Sequence, residues 1–258
     1  PTLGSLEFKL SSSTRVEFLD DTSSRLSRLK IGDEVEVVLN DDQKEVSRIR
    51  VKQNVYHVIE SIRESNGRVI LEDLDGDTER IIVNDSYKLT HPSEPYVYFD
   101  DLKEGLPVTV SYFGKRDYSI NLLETIYGTI VELNRANDTL VIETALAEEL
   151  TINTAKNFTL LDGRLTNLRE GDRISIMQDI DGYTFAEGVT RRVKEFYRLE
   201  SGNRIAFTNP LNEIERYDLA DHVIVHKDHE MIKLDELKKR DRLNVYIVNG
   251  VIVEIEVQ

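Results

Sequence analysis

The sequence contains no cysteine and no tryptophan, and only 5 of its 258 residues are proline. The absence of cysteine excludes disulfide bonds, thiolate metal sites and thiol catalysis within these residues. No apolar run approaches the roughly 18 residues that a membrane-spanning helix requires, so we expect no membrane insertion. The opening residues, PTLGSL, show neither an initiator methionine nor the basic and then apolar pattern of a secretion signal. We therefore expect a piece of a longer chain.

Basic residues are scarce relative to acidic ones. The chain carries 48 Asp and Glu against 33 Lys and Arg, which gives a formal net charge of -15. Such a charge repels phosphate backbones and anionic lipid surfaces, whereas it attracts divalent cations loosely. The composition therefore predicts no nucleic-acid partner.

Four related segments set a period along the chain. Each begins at a leucine and contains, three residues later, a Gly-Asp pair or a variant of it. The leucines are Leu29, Leu102, Leu168 and Leu237. The steps between these leucines are 73, 66 and 69 residues by subtraction, which indicates a tandem array of one unit of about 70 residues. Apolar and polar residues alternate after each turn, and this period of two predicts a half-buried strand.

The repeat divides the chain into a partial unit and three full ones. The partial unit is 1–52, and the full units are 53–124, 125–191 and 192–258. Strands spaced by 8 to 12 residues predict an all-β fold of tandem small β-barrels, of SH3-like or OB-like size. The joints lack Gly/Ser-rich or Pro-rich linkers, so we expect the barrels to form a semi-rigid rod.

Local turn and helix signals complete this prediction. Two-residue hairpin turns are expected at Asn66-Gly67, Asp75-Gly76, Asp181-Gly182 and Asn249-Gly250, because these pairs favour positive φ angles. Helical signal is limited to one turn within 134–150 and to a turn within 232–239. In the partial unit, Phe8 and Leu10 suggest one strand, and Val16 and Phe18 suggest a second strand. The opening strands of the later units have no counterpart there, so they are either cut off or borrowed from a neighbouring unit.

The densest acidic cluster alternates carboxylates as a calcium-binding loop does. It consists of Asp73, Asp75, Asp77 and Glu79. The glycine comes at the fourth position, whereas an EF-hand loop has it at the sixth, and nothing flanking the cluster is helical. Two interpretations remain open, a solvated hairpin turn and a weak Ca²⁺ site.

Three histidines lie close together in the last unit, at His222, His226 and His229. On a strand, His222 and His226 share a face but stand about 13 Å apart, too far for one ion. His226 and His229 could meet across a turn and hold a transition metal. No phosphate-binding loop, nucleophile elbow or metalloprotease signature occurs, so an enzyme is the least expected class.

The aromatic residues are 11 Tyr and 8 Phe. Most fall at strand positions that predict core packing, for example Tyr112, Phe185 and Phe207. Tyr96, Tyr98 and Phe99 differ, because they follow a proline-containing loop and could be partly exposed. These three residues are the candidate ligand or interface surface.

The third unit carries a family resemblance. The segments concerned are Gly128–Leu133, Thr139–Ile142, Asn167–Ile176 and Gly182–Phe185. They resemble the β-rich repeats of S-layer and S-layer-homology-domain proteins of Gram-positive bacteria, where a strand pair precedes a dL-x-x-GD-x-V-x-V turn and a closing hairpin. The second unit departs from the pattern with Leu106 in place of Asp, and the fourth with Arg240 in place of Gly.

The resemblance implies an extracellular, non-enzymatic part of a surface layer that contacts other copies of the same protein, with Ca²⁺ as a candidate cofactor. An alternative is an adhesin or a binder of cell-wall polysaccharide that uses the Tyr96 to Phe99 region or a groove between barrels. A further alternative compares the Gly-Asp turns with KOW-type barrels of transcription and translation factors, which the negative charge disfavours.

Overall fold

The computed structural model describes residues 7–20, 25–41, 45–84, 87–155, 157–163, 167–209, 211 and 213–258. The protein is all-β, with 60% of residues in strands and 6% helical, and it contains a closed five-stranded barrel. The predicted all-β class is therefore confirmed. The helical residues include short 3-10 turns at Leu26–Arg28, Glu64–Asn66, Phe99–Asp101 and Leu234–Glu236.

The first sheet has eight strands. They are β1 (Lys9–Glu17), β2 (Val35–Leu39), β3 (Glu45–Arg63), β4 (Arg68–Glu72), β5 (Thr78–Ile82), β6 (Lys88–Thr90), β7 (Pro107–Phe113) and β8 (Arg116–Leu122). Six of them follow the order β5-β4-β3-β7-β8-β6, while β1 and β2 pair with β3 outside this path. Strand β3 is 19 residues long, so its first half pairs with β1 and β2 and its second half with β4 and β7.

The second sheet has six strands in the order β11-β10-β9-β13-β14-β12. They are β9 (Glu124–Asn134), β10 (Thr139–Thr144), β11 (Glu149–Asn153), β12 (Phe158–Leu160), β13 (Arg173–Gln178) and β14 (Thr184–Gly188). The short strand β12 runs parallel to β14, as β6 runs parallel to β8 in the first sheet.

The third sheet has the order β16-β15-β19-β20-β17-β18. Its strands are β15 (Thr190–Glu200), β16 (Arg204–Thr208), β17 (Ile214–Lys227), β18 (Glu230–Met231), β19 (Arg242–Val248) and β20 (Val251–Val257). The long strand β17 pairs with β16 through its first part and with β20 through its second part, and this double pairing closes the barrel. In the other two sheets the corresponding strand is split, into β5 and β6 and into β11 and β12.

Apolar residues from alternate strand positions form four core clusters. Representative members are Val16 and Ile49; Ile59 and Val110; Ile142 and Ile176; and Phe207 and Val245. Three of the four period-setting leucines are also buried, namely Leu102, Leu168 and Leu237. Each of the three therefore anchors the turn that precedes a central strand of its sheet.

The chain splits into two compact units. Unit 1 comprises the described residues up to Glu124 together with Asp179–Asp181, and unit 2 comprises Thr125–Gln178 and Gly182–Gln258. The division at Glu124 lies at a limit that the repeat predicts. The predicted limits after residues 52 and 191 fall inside β3 and β15.

Two local predictions are wrong. The segment 134–150 contains no helical turn, because β10 and β11 occupy it and Ala147 takes a positive φ of 60° in the turn between them. Where two strands were expected, Leu10 and Val16 lie in the single strand β1, because both ends of β1 pair with the same strand, β3, across a register shift between Leu10 and Arg15. Within the described part of the chain, no helix has the length and apolar character needed to cross a membrane.

Candidate functional site

The acidic cluster forms the turn between β4 and β5, but its carboxylates do not converge. Asp73 Oδ1 accepts the backbone N–H groups of Asp75 and Asp77, at 2.9 Å each. Asp73 therefore caps its own turn, and Glu79 lies beyond the turn on β5. Among the described residues, no three carboxylate or histidine side chains are grouped so as to hold a metal ion.

Glu79 belongs to a different cluster, which it forms with Tyr112 and His57 of the first sheet. It accepts a hydrogen bond from the Tyr112 hydroxyl, and one of its carboxylate oxygens lies 4.0 Å from His57 Nε2. His57 Nδ1 lies 3.1 Å from the carbonyl oxygen of Val55, so a proton on Nδ1 is donated to that oxygen. Tyr112 and His57 are buried, at 3% and 4% exposure.

Burial governs the protonation of this cluster. Desolvation lowers the pKa of His57 below its ordinary value of 6.5, although Val55, Glu79 and Asp73 oppose the shift. Burial, with the hydrogen bond to Glu79, raises the pKa of Tyr112 far above its ordinary value. A neutral imidazole and a protonated phenol are therefore the stable forms at neutral pH.

The aromatic candidates divide between solvent and core. Tyr96 and Tyr98 are 76% and 66% exposed. Phe99 is partly buried and packs against the core of the first sheet. The predicted exposure is therefore found at two of the three positions, and Phe99 serves to anchor the segment.

A buried polar network lies on the first sheet, on the face opposite the core. It consists of Thr90, Thr109, Ser111, Ser119 and Asn121. The Asn121 side chain is its centre, because its amide donates to the hydroxyl oxygens of Thr109 and Ser111 at 3.0 and 2.9 Å. Each buried polar group thus has a partner, which is the condition under which such groups can be buried at low cost.

The Asp179–Asp181 segment of unit 1 extends this network. Asp179 is 4% exposed, and its Oδ2 atom accepts hydrogen bonds from Asn54 Nδ2 and Thr109 Oγ1, both at 2.8 Å. Asp181 Oδ2 accepts from Asn54 Nδ2 and from Lys52 Nζ, again at 2.8 Å. Burial would raise the pKa of Asp181, but the hydrogen bonds from Lys52 and Asn54 lower it below its ordinary value.

Unit 2 contains a buried charged cluster. Glu254 is 1% exposed and forms an ion pair with Arg173. Its other oxygen lies 3.0 Å from His226 Nε2, and the Arg173 guanidinium carbon lies 4.9 Å from the centre of the Tyr246 ring. Burial and the hydrogen bond to Glu256 raise the pKa of Tyr246 to about 12. The arrangement neutralises a carboxylate that would otherwise be too costly to bury.

The three neighbouring histidines do not form one site. His226 is buried against Glu254, whereas His222 is exposed. His229 takes a positive φ in the turn after β17, and its Nδ1 lies 3.2 Å from the carbonyl oxygen of Ala145. The expectation that His226 and His229 share a metal finds no support in this geometry.

Sequence analysis missed the charged and polar clusters. Glu254 stands in an alternating strand, VIVEIEV, where a glutamate is expected to face solvent. Glu254 is buried because the fold brings Arg173 and His226, which are distant in sequence, against it. The one signal in the sequence was the run of small polar residues in β7 and β8, Thr109, Ser111, Ser119 and Asn121, which replaces the charged residues typical of an exposed face.

Comparison with known proteins gives no family assignment. A scan against protein-family models finds no match, and a search of curated proteins finds no relative.

Proposed function

We propose that the chain is a structural segment of a bacterial cell-surface protein, built from tandem small β-barrels of SH3-like or OB-like size. Its function is to span distance and to contact other copies of the same protein outside the cell. The proposal is supported by the common strand order of the three sheets and by the resemblance of the repeat to S-layer proteins.

The observation that carries the proposal is the continuity of β3. The strand has 19 residues, which corresponds to about 60 Å of extended chain. Its first half contributes Val46, Ile49 and Val51 to one core, and its second half contributes Ile59 to the next. Since both halves are hydrogen-bonded to neighbouring strands, bending between the two cores would break ladder hydrogen bonds, which favours a stiff connection over a flexible linker.

Self-contact is proposed to use sheet edges. Among the described strands, β5 and β11 stand at the ends of their sheet orders. A strand at the end of a sheet presents unpaired backbone groups, which can pair with another chain. Both strands are five residues long and alternate exposed and more buried side chains.

Electron microscopy in negative stain tests self-assembly directly. We expect sheets or filaments from the purified chain in millimolar calcium, and fewer after addition of a chelator. A Thr151→Lys variant places a charge on the β11 edge and should reduce assembly, because edge lysines block strand pairing. Thr139→Lys introduces the same change on β10, where Thr139 is paired on both sides, with Asn153 of β11 and Asn134 of β9, and it should leave assembly intact.

Two outcomes would contradict the proposal. Single particles in both conditions at every concentration would show that the chain does not self-assemble. Equal assembly of the two lysine variants would show that the edge of β11 does not form the contact. The semi-rigid rod is a separate prediction, and small-angle X-ray scattering of the unassembled chain tests it.

A further inference from the structure

Tyr96 and Tyr98 form an exposed aromatic pair next to the core of the first sheet. Their side chains are 76% and 66% exposed, while the residues that alternate with them, Val97 and Phe99, are partly buried. Tyr98 has extended backbone angles, φ -112° and ψ 164°. In extended chain, side chains two residues apart lie on one side, separated by about 7 Å. The two phenol rings therefore stand on the same side of the segment.

The loop that presents these rings is fixed at both ends. His91 Nδ1 accepts the backbone N–H groups of Ser93 and Glu94, at 3.2 Å each. Asp101 Oδ2 accepts the backbone N–H of Tyr98 at 2.7 Å. Two prolines between these caps, at 92 and 95, further restrict the backbone. A surface that is ordered before binding loses less conformational entropy when a ligand binds.

A depression of about 460 Å³ lies beside the pair. Tyr98 and Val97 line one part of it, and Glu64 and Asn84 line another part. The volume is in the range of small-molecule sites. The lining thus combines an aromatic surface with a carboxylate and an amide, which provide hydrogen-bond acceptors and donors.

We propose that this surface, which we call the Tyr96/Tyr98 platform, binds a neutral oligosaccharide. The C–H faces of sugar rings are apolar and pack on aromatic rings, while sugar hydroxyls bond to carboxylate and amide groups. A chain with a net charge of -15 disfavours anionic polymers, whereas a neutral glycan experiences no such repulsion. In this proposal the two tyrosines supply stacking and Glu64 accepts hydrogen bonds from the sugar. Such binding goes beyond the structural function proposed above and does not depend on it.

Titration of the full, isotope-labelled chain with three oligosaccharides tests the proposal. The probes are maltohexaose, cellohexaose and the hexamer of N-acetylglucosamine, each up to about 10 mM, which detects dissociation constants in the millimolar range. We expect at least one of them to shift amide NMR signals within 84–101 and around residue 64. The variants Tyr96→Ala and Tyr98→Ala should each weaken that binding by about three- to tenfold, which is the range that an aromatic contact contributes.

Two further variants separate stacking from general disturbance. Tyr98→Phe keeps the ring and should retain most of the affinity. Leu74→Ala removes an exposed apolar side chain from the turn between β4 and β5, 57% exposed, and should leave sugar binding unchanged. The proposal is overturned if none of the three sugars shifts the spectrum of the folded chain, or if the double Tyr96→Ala, Tyr98→Ala variant binds as the wild type does. The double variant could instead lose self-assembly while the wild type binds no sugar. That result would identify the platform as a protein contact and would also overturn the sugar-binding proposal.

Discussion

His57 is a buried imidazole on β3 that is uncharged at neutral pH. It lies 4.0 Å from a carboxylate oxygen of Glu79, which could stabilise the charged imidazolium, yet burial is the larger influence and lowers the His57 pKa. Because the unfolded chain binds the proton more tightly than the folded one, acid favours unfolding at this residue. The stabilising contribution is present above the ordinary value of 6.5 and is lost as the pH falls through the lower folded pKa.

The stability of unit 1 should therefore decline on acidification more steeply with His57 than without it. We expect the free energy of unfolding to fall between pH 7 and pH 5 in the wild type, and to fall less in a His57→Gln variant, because glutamine does not titrate. Urea denaturation at several pH values measures the difference, and His222→Gln, an exposed histidine, serves as the control. Parallel pH profiles for wild type and His57→Gln would show that the imidazole does not change its proton affinity on folding.

The exposure and the contacts of the candidate-site residues could be predicted from the sequence only in part. Tyr96 and Tyr98 follow a proline loop, and this local context indicated exposure correctly. Asp73, Asp77 and Glu79 look equivalent in sequence, whereas in the structure Asp73 caps its own turn. Glu79 contacts Tyr112, which is 33 residues away along the chain, and no local pattern reports such a contact.

At the scale of elements, the period of two located most strands. It predicted Val35–Leu39 as a strand, which is β2, and the strand after Gly105, which is β7. It did not predict that β3 runs uninterrupted from one core into the next, because the repeat places a unit limit in its middle. Three consecutive polar residues, Lys52, Gln53 and Asn54, also interrupt the apolar alternation at that limit, so the local pattern gave no signal that the strand continues.

The Asn66-Gly67 turn shows how tightly a hairpin can be constrained. Gly67 has a φ of 62°, as predicted, but the turn contains a 3-10 segment, Glu64–Asn66, in place of a two-residue loop. A Cβ atom on Gly67 would lie 2.2 Å from the carbonyl oxygen of Val83, whereas a Cβ on Gly105 would have nothing within 4 Å. Both glycines have a positive φ, 62° and 84°, but only Gly67 has this close contact.

Alanine substitutions at these glycines should therefore differ in cost. Gly105→Ala is expected to destabilise by about 1 kcal/mol, the cost of a left-handed conformation in a residue with a Cβ. Gly67→Ala should cost at least about 1 kcal/mol more, because relief of the clash breaks the 2.8 Å hydrogen bond from Val83 N–H to the Gly67 carbonyl. Urea denaturation of both variants tests the difference, and equal costs would show that the hairpin shifts without loss.

At the scale of the molecule, acidic charge and two compact units set the behaviour of the chain. The net charge of -15 keeps separate chains apart at low ionic strength, so association should require salt or divalent cations that screen it. Unit 2 contains two of the four core clusters, and unit 1 contains the other two. Each unit thus has the apolar cores that independent folding requires.

Unit 1 does not consist of residues up to Glu124 alone, because it also includes the segment Asp179–Asp181. Residues 1–124 expressed alone should fold but be less stable than the same residues in the whole chain, because Asn54 and Thr109 lose their carboxylate partners. The variant Asn54→Leu distinguishes this cause from others. In the whole chain it should cost about 1–3 kcal/mol, since Asp179 and Asp181 each lose a donor. In residues 1–124 it should cost little, because those carboxylates are not there. Calorimetry of the four proteins measures both effects, and an equal cost of Asn54→Leu in the two contexts would mean that the segment does not stabilise unit 1.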